Sequence, residues 1–338
     1  MSDWLSPASL TTAWLAEALI GATLLMLLVL AIRRPVARLC GAHAAYALWA
    51  LPPLRMLMPS IPGWTPLYVP VAGVRPDGSG ALALMPPADA VDHRLPPATL
   101  QMGEVGLVPD WPALLVCLWA VGAALFLATQ WRRHTGFLAR ALADGEQLTM
   151  AGEVEVILSP HVPGPMAAGI WHRRIFLPAD FRARYSAAER RLALLHEGAH
   201  HDRGDLVANL VGLVVLAAHW WNPIAHAAWR AFRADQELAC DATVLAGSDG
   251  DTRAAYAGAV LKSAVVATPV AACAMNHKKQ LKERLAMMKD RRFGTGRRLV
   301  GTLLVAGIAG AALAATAPGT PPVPPAPPQP PTAPPGAP

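Results

Sequence analysis

The segment from Leu194 to Asp205 has the sequence LLHEGAHHDRGD and contains the pattern His-Glu-x-x-His. Residues four apart share a helix face, so the imidazoles of His196 and His200 can reach one metal ion. Imidazole nitrogen binds Zn²⁺ readily, and a catalytic zinc site leaves one coordination position for water. Glu197 lies about 100° round the helix axis, where it can take a proton from that water instead of binding the metal. The pattern predicts a hydrolytic zinc site, with a fortuitous surface match as the alternative.

A third metal ligand is expected from the next helical segment, which begins after Asn222-Pro223. Glu237 and Asp241 are four residues apart in it and therefore share a face, as the two histidines do. One carboxylate can bind zinc while the other accepts the free N–H of a ligand histidine. We assign Glu237 to the metal and Asp241 to the support of a ligand. Without the histidines, the pair is better explained as a solvated acidic face in which Arg233 pairs with Glu237.

Three neighbouring residues have both a chemical and a structural interpretation. His219, in the segment HWWNP, could donate to a developing oxyanion, but paired tryptophans after an apolar helix favour an anchor at the membrane boundary. The four cysteines show no close pairing and are expected to be free thiols. Cys240 could have a zinc or redox role, although a small buried residue is the commoner explanation. His201 is rotated away from the ligand face and is expected to contact solvent or to support a ligand.

The elements that position these residues are predicted from the patterns around them. Ser186 followed by Glu189 forms a capping box before an apolar-periodic run, which predicts a helix through the zinc motif. The segments VEVILSP (154–160) and RRIFLP (173–178) have the β-branched and aromatic content of strands. An edge strand can bind an extended peptide, and the sequence leaves open whether RRIFLP does so.

The composition indicates an integral membrane protein, since 54% of the residues are hydrophobic and 15% are charged. Four segments approach the roughly 20 apolar residues that cross a bilayer. They are residues 13–32, 39–58, 111–129 and 299–315. Basic residues follow the first and third segments and precede the fourth, which places those flanks in the cytoplasm. The net charge of +6 is therefore a topology signal, and no direct nucleic-acid binding is expected.

The expected fold is a mainly α membrane protein with four transmembrane helices and a cytoplasmic α+β zinc metallopeptidase domain of gluzincin type. The expected regions are a three-helix membrane region with an outer (periplasmic) loop, the cytoplasmic domain, the fourth span and a proline-rich disordered tail. Their residues are 1–130 with the loop at about 59–109, then 131–297, 298–316 and 317–338. The apolar segment 206–221 is short for a span, and its crossing would translocate a basic run. It is expected to be buried in the cytoplasmic domain, or to lie on or dip into the inner membrane face.

The order of three segments resembles the M56 metallopeptidases, the family of the β-lactam-sensing BlaR and MecR signal transducers. The segments are LLHEGAHHDRGD, HWWNPIAHAAWRAF and DQELACD, and LSPHVPGPMAAGIWHRRIFLP is similar to the strand region of that family. The resemblance covers about residues 10–316. It implies a membrane-embedded zinc endopeptidase facing the cytoplasm, with metal ligands at His196, His200 and Glu237. It also implies that Glu197 is the general base.

In the BlaR and MecR branch, activation leads to cleavage of a cytoplasmic DNA-binding repressor. Those sensors carry a penicillin-binding domain after the last span, whereas proline-rich residues follow here, so β-lactam sensing is not expected to carry over. The leading hypothesis is a zinc endopeptidase of the inner membrane that cleaves a cytoplasmic protein such as a BlaI-like repressor.

Two other functions compete with this hypothesis. The first is a non-catalytic signalling or envelope-coupling protein, because the order of a basic flank, a span and a proline-rich stretch resembles the first half of TonB-like transducers. A membrane zinc protease whose site opens toward the bilayer is the other. Membrane lipid is expected as a partner, and the oligomeric state stays open, with a homodimer as one option.

Overall fold

The structure is a computed structural model that describes residues 7–58, 61–62, 111–151, 153–266, 281–286, 295–316 and 319–320. Most of the expected outer loop (59–109) lies outside the described residues, which include only 61–62 of it. Of the expected tail (317–338), the described residues include only 319–320. Cys40, Cys117 and Cys240 are free thiols, as predicted. Cys273 lies outside the described residues.

Helices make up most of the described chain. They are α1 (Pro7–Cys40), α2 (Ala42–Ala47), α3 (Leu51–Leu57), α4 (Trp111–Ala143), α5 (Phe181–Arg184), α6 (Ala187–Asp202), α7 (Asp205–Ala218), α8 (Pro223–Val244), α9 (Gly250–Val266), α10 (281–286) and α11 (Thr295–Thr316). The strands are β1 (Ile61–Pro62), β2 (Glu146–Ala151), β3 (Val154–Ser159), β4 (Met166–Ala168), β5 (Arg174–Pro178) and β6 (Gly319–Thr320). A 3₁₀ turn at Leu48–Ala50 joins α2 to α3.

Two of the described helices, α1 and α4, are long and apolar enough to cross a membrane. Helix α7 and the end of α11 are apolar but shorter. None of the apolar window of α4 is buried inside the protein (0%). Helix α4 continues without a break to Ala143, so the expected domain boundary at residue 130 falls inside it. The expected first and third spans therefore agree with long apolar helices, while the four-span topology stays a prediction.

The segment expected as the second span consists of α2, the 3₁₀ turn and α3. Gly41 has a φ of +96°, which allows the chain to reverse direction after α1. Pro52 and Pro53 occupy the first turn of α3, where a missing N–H is tolerated. Arg55 is fully buried and donates from Nη2 to the carbonyl of Glu17, near the start of α1, at 3.2 Å. The segment thus packs antiparallel along α1.

Helices α7 and α8 form a hairpin that runs alongside the two long apolar helices. At its turn, the Nε2 of His219 lies 3.1 Å from the carbonyl oxygen of Leu19 in α1. The indole of Trp119 in α4 donates to the carbonyl of Ala218 at 2.7 Å. These contacts pack residues 206–221 against α1 and α4, and their placement relative to the membrane stays a prediction.

The main sheet has four strands in the order β2-β3-β5-β4. Strand β3 is antiparallel to β2 and parallel to β5, and β5 is antiparallel to β4. Because β5 is paired on both sides, the RRIFLP strand has no edge at which a peptide could add. Strand β4 is the edge strand on that side of the sheet, so any peptide binding there falls to β4.

One apolar cluster fixes the zinc-motif helix against the sheet, and a larger one joins the helices. Between the sheet and helices α5, α6 and α9, the buried residues are Val156, Ile175, Leu177, Phe181, Tyr185, Ala193 and Ala259. Among α1, α2, α3, α7, α8 and α11, the cluster includes Leu25, Val29, Leu48, Trp49, Leu216, Phe232 and Val305. The zinc motif therefore lies where these two packed regions meet.

Candidate metal centre

Helix α6 carries the His-Glu-x-x-His pattern and begins at the predicted capping box, so the predicted helix is confirmed. The hydroxyl of Ser186 accepts from the backbone N–H of Glu189, whose carboxylate accepts from the N–H of Ser186 at 2.7 Å. Lys262 of α9 donates to the same carboxylate at 2.7 Å, and this hydrogen bond lowers the pKa of Glu189. The start of α6 is thus fixed both to its own backbone and to α9.

The side chains of His196, His200 and Glu237 converge in a buried cluster. The two Nε2 atoms are 3.2 Å apart. Carboxylate oxygens of Glu237, from α8, lie 3.3 Å from the Nε2 of His196 and 3.7 Å from that of His200. Ligand atoms around a tetrahedral zinc ion, with bonds of about 2.0–2.1 Å, are separated by about 3.3 Å. The donor types and their spacing therefore fit one zinc ion.

Cys240 brings a fourth donor atom to this cluster. One ligand atom each of Cys240, His196 and His200 all lie within 4.8 Å of one another. The thiol is fully buried and donates to the backbone carbonyl of His196 at 3.4 Å, which ties α8 to α6. Cys240 is therefore a small buried residue and is also close enough to the histidines to bind the same ion. Its sulfur and the carboxylate of Glu237 are alternative third donors.

The second ring nitrogen of each histidine contacts a supporting group. The Nδ1 of His200 lies 2.7 Å from the carboxylate of Asp205. The Nδ1 of His196 lies 2.7 Å from the hydroxyl of Tyr256, which donates to Asp241 at 2.6 Å. Asp241 itself is 3.7 Å from that nitrogen, so it supports His196 through Tyr256. These contacts orient both rings with Nε2 toward the cluster centre, as second-layer partners of metal ligands do.

Helix α10 brings a partly buried cation onto the carboxylates of α8. Arg284 donates to Asp241 from two nitrogens, at 2.8 and 2.7 Å, and its Nη1 lies 3.4 Å from Glu237. Burial lowers the pKa of Arg284, but these carboxylates outweigh that effect and raise it. For Glu237, burial raises the pKa, and the hydrogen bond to His196 with the charge of Arg284 lowers it overall. Glu237 is therefore ionised, as a metal ligand must be.

Negative groups around the imidazoles favour a positive charge between them. Burial lowers the pKa of His200, but contacts with Asp205, Cys240 and Glu237 outweigh it and raise the pKa to about 10. The pKa of His196 is raised against the effect of burial by contacts with Cys240 and Glu237. A divalent cation at the centre of the cluster supplies this positive charge.

Glu197 lies beside the cluster, and its carboxylate accepts from the backbone N–H of Ala167 at 2.7 Å. Ala167 belongs to the edge strand β4. Both residues line a cavity of about 280 Å³ together with His196, His200 and Glu237. The cavity therefore brings together an acid, a set of metal donors and the edge of a sheet.

A sequence profile described as BlaR1 peptidase M56 matches residues 13–288 of the chain. The chain belongs to the M56 peptidase family. It is also similar to Regulatory protein BlaR1 of Bacillus licheniformis, with 28% identity over 117 residues. That match covers 35% of this chain and 19% of the relative's length. M56 peptidases are metallopeptidases, which agrees with a buried group of metal donors in this chain.

Two of the histidines that the sequence singled out, His201 and His219, lie outside the cluster of this M56 peptidase. His219 is buried at the far end of α7, the fourteen-residue helix that follows the zinc motif, and its ring nitrogens lie 2.9 and 3.1 Å from backbone carbonyls. The structure does not bring it to the other histidines, so the oxyanion role has no support in the geometry. His201 is buried and its Nε2 lies 3.0 Å from the carbonyl of Arg174, so it joins α6 to β5 instead of contacting solvent.

Three residues of the M56 site, Asp205, Tyr256 and Arg284, were not predicted from the sequence. Asp205 belongs to the quoted motif, but it follows Gly204, whose φ of +69° reverses the chain between α6 and α7. That left-handed turn points Asp205 back at His200, which no helical spacing indicates. Tyr256 and Arg284 come from α9 and α10, and neither stands in a pattern typical of metal sites.

Proposed function

We propose that this M56 peptidase is a zinc-dependent endopeptidase of the bacterial inner membrane, with its active site on the cytoplasmic side. One observation carries the proposal. Donor atoms of His196, His200 and Glu237, from two helices, lie 3.2, 3.3 and 3.7 Å apart in a cavity that Glu197 also lines. A fortuitous surface match to His-Glu-x-x-His would not be buried, nor would it have a carboxylate from a second helix at coordinating distance.

In the proposed mechanism, His196, His200 and Glu237 hold the metal. A zinc ion bound there supplies a Lewis acid that polarises the scissile carbonyl and makes the attacking water more acidic. Glu197 accepts a proton from that water and returns it to the leaving amine. Asp205 orients His200. Asp241 orients His196 through the hydroxyl of Tyr256, and not by accepting its N–H directly.

Glu237 is preferred to Cys240 as the third ligand on the basis of direction. Both oxygens of Glu237 approach Nε2 atoms, which are the nitrogens that point into the cavity. The thiol of Cys240 is instead directed at the carbonyl of His196. A carboxylate with two imidazoles is also a ligand set of catalytic zinc sites that keep a position open for water.

The cytoplasmic orientation is supported by an ion pair beside the site. Arg33, in the basic sequence that follows the first apolar stretch, donates to Asp235 at 2.6 Å. Asp235 lies two residues before Glu237 on α8. The metal donors are therefore at the same end of α1 as its basic residues, and such an end faces the cytoplasm.

The proposed substrate is a cytoplasmic protein bound in extended form along β4. The edge of this strand borders the cavity, so a peptide paired with it would pass beside Glu197 and the histidines. The family resemblance suggests a BlaI-like transcriptional repressor, which would make the enzyme a signal-transducing protease. The proposal includes no β-lactam sensing.

The test compares cells that express the wild-type chain with cells that express Glu197→Gln. New protein N-termini are identified by mass spectrometry, and zinc is measured in the purified proteins. We expect the variant to keep its zinc and to lose at least one cleavage product. Glu155→Gln, on the sheet beside Arg174, is the matched control and should cleave as the wild type does. Identical products from wild type and Glu197→Gln would refute the protease and favour the non-catalytic signalling hypothesis.

A further inference from the structure

A second and larger cavity lies between the α2–α3 segment and the α7–α8 hairpin. Its volume is about 450 Å³, and none of its lining residues also lines the metal cavity. One wall is formed by α2, the 3₁₀ turn and α3, and the other by α7. Its floor consists of buried residues of α8, namely Ala225, Ala228 and Phe232. We call this cavity the membrane groove.

The lining of the membrane groove is chemically uniform. Nearly all of its side chains are apolar, and they include Met26, Trp49, Pro52, Val215 and Trp229. Arg203 is the one charged residue among the described residues that line it, and it already donates to Asp205 and Thr243 at 3.2 and 3.0 Å. A cavity of this size and polarity is typical of sites for apolar ligands, since water has few partners there.

The exposed residues at the rims of the groove indicate the environment onto which it opens. Val207 and Val211, on the α7 rim, are 48% and 44% exposed. Beyond the rims, the exposed side chains of α7 and α3 are again apolar: Leu210, Val214, Leu54 and Leu57. The α7–α8 hairpin also packs along α1 and α4, the helices long and apolar enough to cross a bilayer. In a membrane, the groove therefore opens onto hydrocarbon.

The surroundings of the groove indicate its occupant. Its rims continue into the exposed apolar faces of α3 and α7, so in a bilayer the groups that reach its opening are lipid acyl chains. A single acyl chain is also thinner than a helix, whose diameter with side chains is about 10–12 Å. We propose that the membrane groove binds one acyl chain of a membrane phospholipid, an inference that rests on the proposed membrane location of the chain.

The test uses the full chain in phosphatidylglycerol vesicles that contain a trace of phosphatidylglycerol with a diazirine in its acyl chain. After irradiation, labelled peptides are mapped by mass spectrometry. We expect label on the floor residues Ala225, Ala228 and Phe232, because these side chains are buried and lipid in the surrounding annulus cannot reach them. Label on the exposed faces of α4 and α7 with none on the floor would overturn the proposal.

Two variants fill the groove from opposite rims. Val211→Trp on α7 and Ala50→Trp on the 3₁₀ turn each place an indole in the opening, and each should reduce floor labelling several-fold. Leu210→Trp is the matched control, since Leu210 is equally exposed on α7 but does not line the groove. Floor labelling unchanged in both rim variants would also overturn the proposal.

The same preparations separate this proposal from the protease function. Floor labelling that is intact in a protein without zinc or cleavage activity would support the groove and refute the proposed function. Recovery of the chain in the soluble fraction without detergent would overturn the membrane location, and with it the acyl-chain site, while cleavage activity could still be measured.

Discussion

Asp205 and His200 are joined by a 2.7 Å contact between Oδ2 and Nδ1, although they belong to different helices. Asp205 is almost completely buried and is also hydrogen-bonded by the hydroxyl of Tyr46 at 2.9 Å. The carboxylate thus connects a candidate metal ligand to α2, in the segment that packs along α1. The orientation of His200 depends on packing between the metal centre and the apolar helices.

The substitution Asp205→Asn should weaken zinc binding by about 10–100-fold, the effect typical of losing a carboxylate that orients a ligand histidine. The measurement is the zinc dissociation constant of the purified protein, obtained by competition with a chelator. Asp202→Asn is the control, because Asp202 is exposed at the end of α6 and pairs only distantly with Arg173, at 3.7 Å. Equal zinc affinity in both variants would contradict the role given to Asp205.

The third ligand can be decided by substituting Glu237 and Cys240 separately. Glu237→Gln should weaken zinc binding by more than the roughly 10–100-fold expected for a supporting residue. Cys240→Ser keeps a small hydrogen-bond donor toward the carbonyl of His196 and should retain zinc. Both are read by metal analysis after dialysis against a weak chelator. The reverse pattern, with zinc kept in Glu237→Gln and lost in Cys240→Ser, would make sulfur the third ligand.

Removal of zinc should destabilise the folded protein, because an ion that binds only the native state stabilises it by mass action. At a free zinc concentration of about 100 times the dissociation constant, this stabilisation is about 2.7 kcal/mol. We expect a chelator to lower the thermal unfolding temperature of the detergent-solubilised protein and excess zinc to restore it. His196→Ala serves as the control, since its unfolding temperature should not respond to either. If the chelator did not change the unfolding temperature of the wild type, the prediction that zinc stabilises the fold would be wrong.

The charge of Glu189 should make the start of α6 sensitive to acid. Its pKa is lowered from 4.5 in the folded protein, chiefly by the hydrogen bond from Lys262. A carboxyl group whose pKa is lower in the folded than in the unfolded protein stabilises the fold at a pH above its unfolded-state pKa. This stabilisation is lost as the pH falls through its folded-state pKa. Glu189→Gln should therefore be less stable than wild type at neutral pH, by about 0.3–1 kcal/mol, and should converge with it below pH 4.5.

The control for the acid prediction is Ser186→Ala, which removes the uncharged half of the same capping box. It should cost about 1 kcal/mol and depend less on pH than Glu189→Gln does, because the Ser186 hydroxyl lowers the pKa of Glu189 less than Lys262 does. Denaturant unfolding of all three proteins between neutral and acidic pH gives the comparison. A stability difference between wild type and Glu189→Gln that persists unchanged at low pH would show that the charge of Glu189 is not involved.

Local spacing alone determined the parts of the site that belong to single helices. The capping box at Ser186 predicts the start of α6, and a separation of four residues puts His196 with His200, because helix periodicity places such pairs on one face. The same rule places Glu237 one turn from Asp241. The long apolar stretches predict α1 and α4 by length and composition.

The tertiary structure decided every contact that depends on how separate elements pack. Asp205 reaches His200 only because Gly204 adopts a left-handed conformation, and Tyr256 reaches His196 only because α9 packs against α6. The strand order leaves β4, and not RRIFLP, at the edge beside Glu197. Spacing along the chain encodes which side chains share a face of one helix or strand. Which faces then meet is set by burial of apolar surface across the whole fold, and that is a property of no single segment.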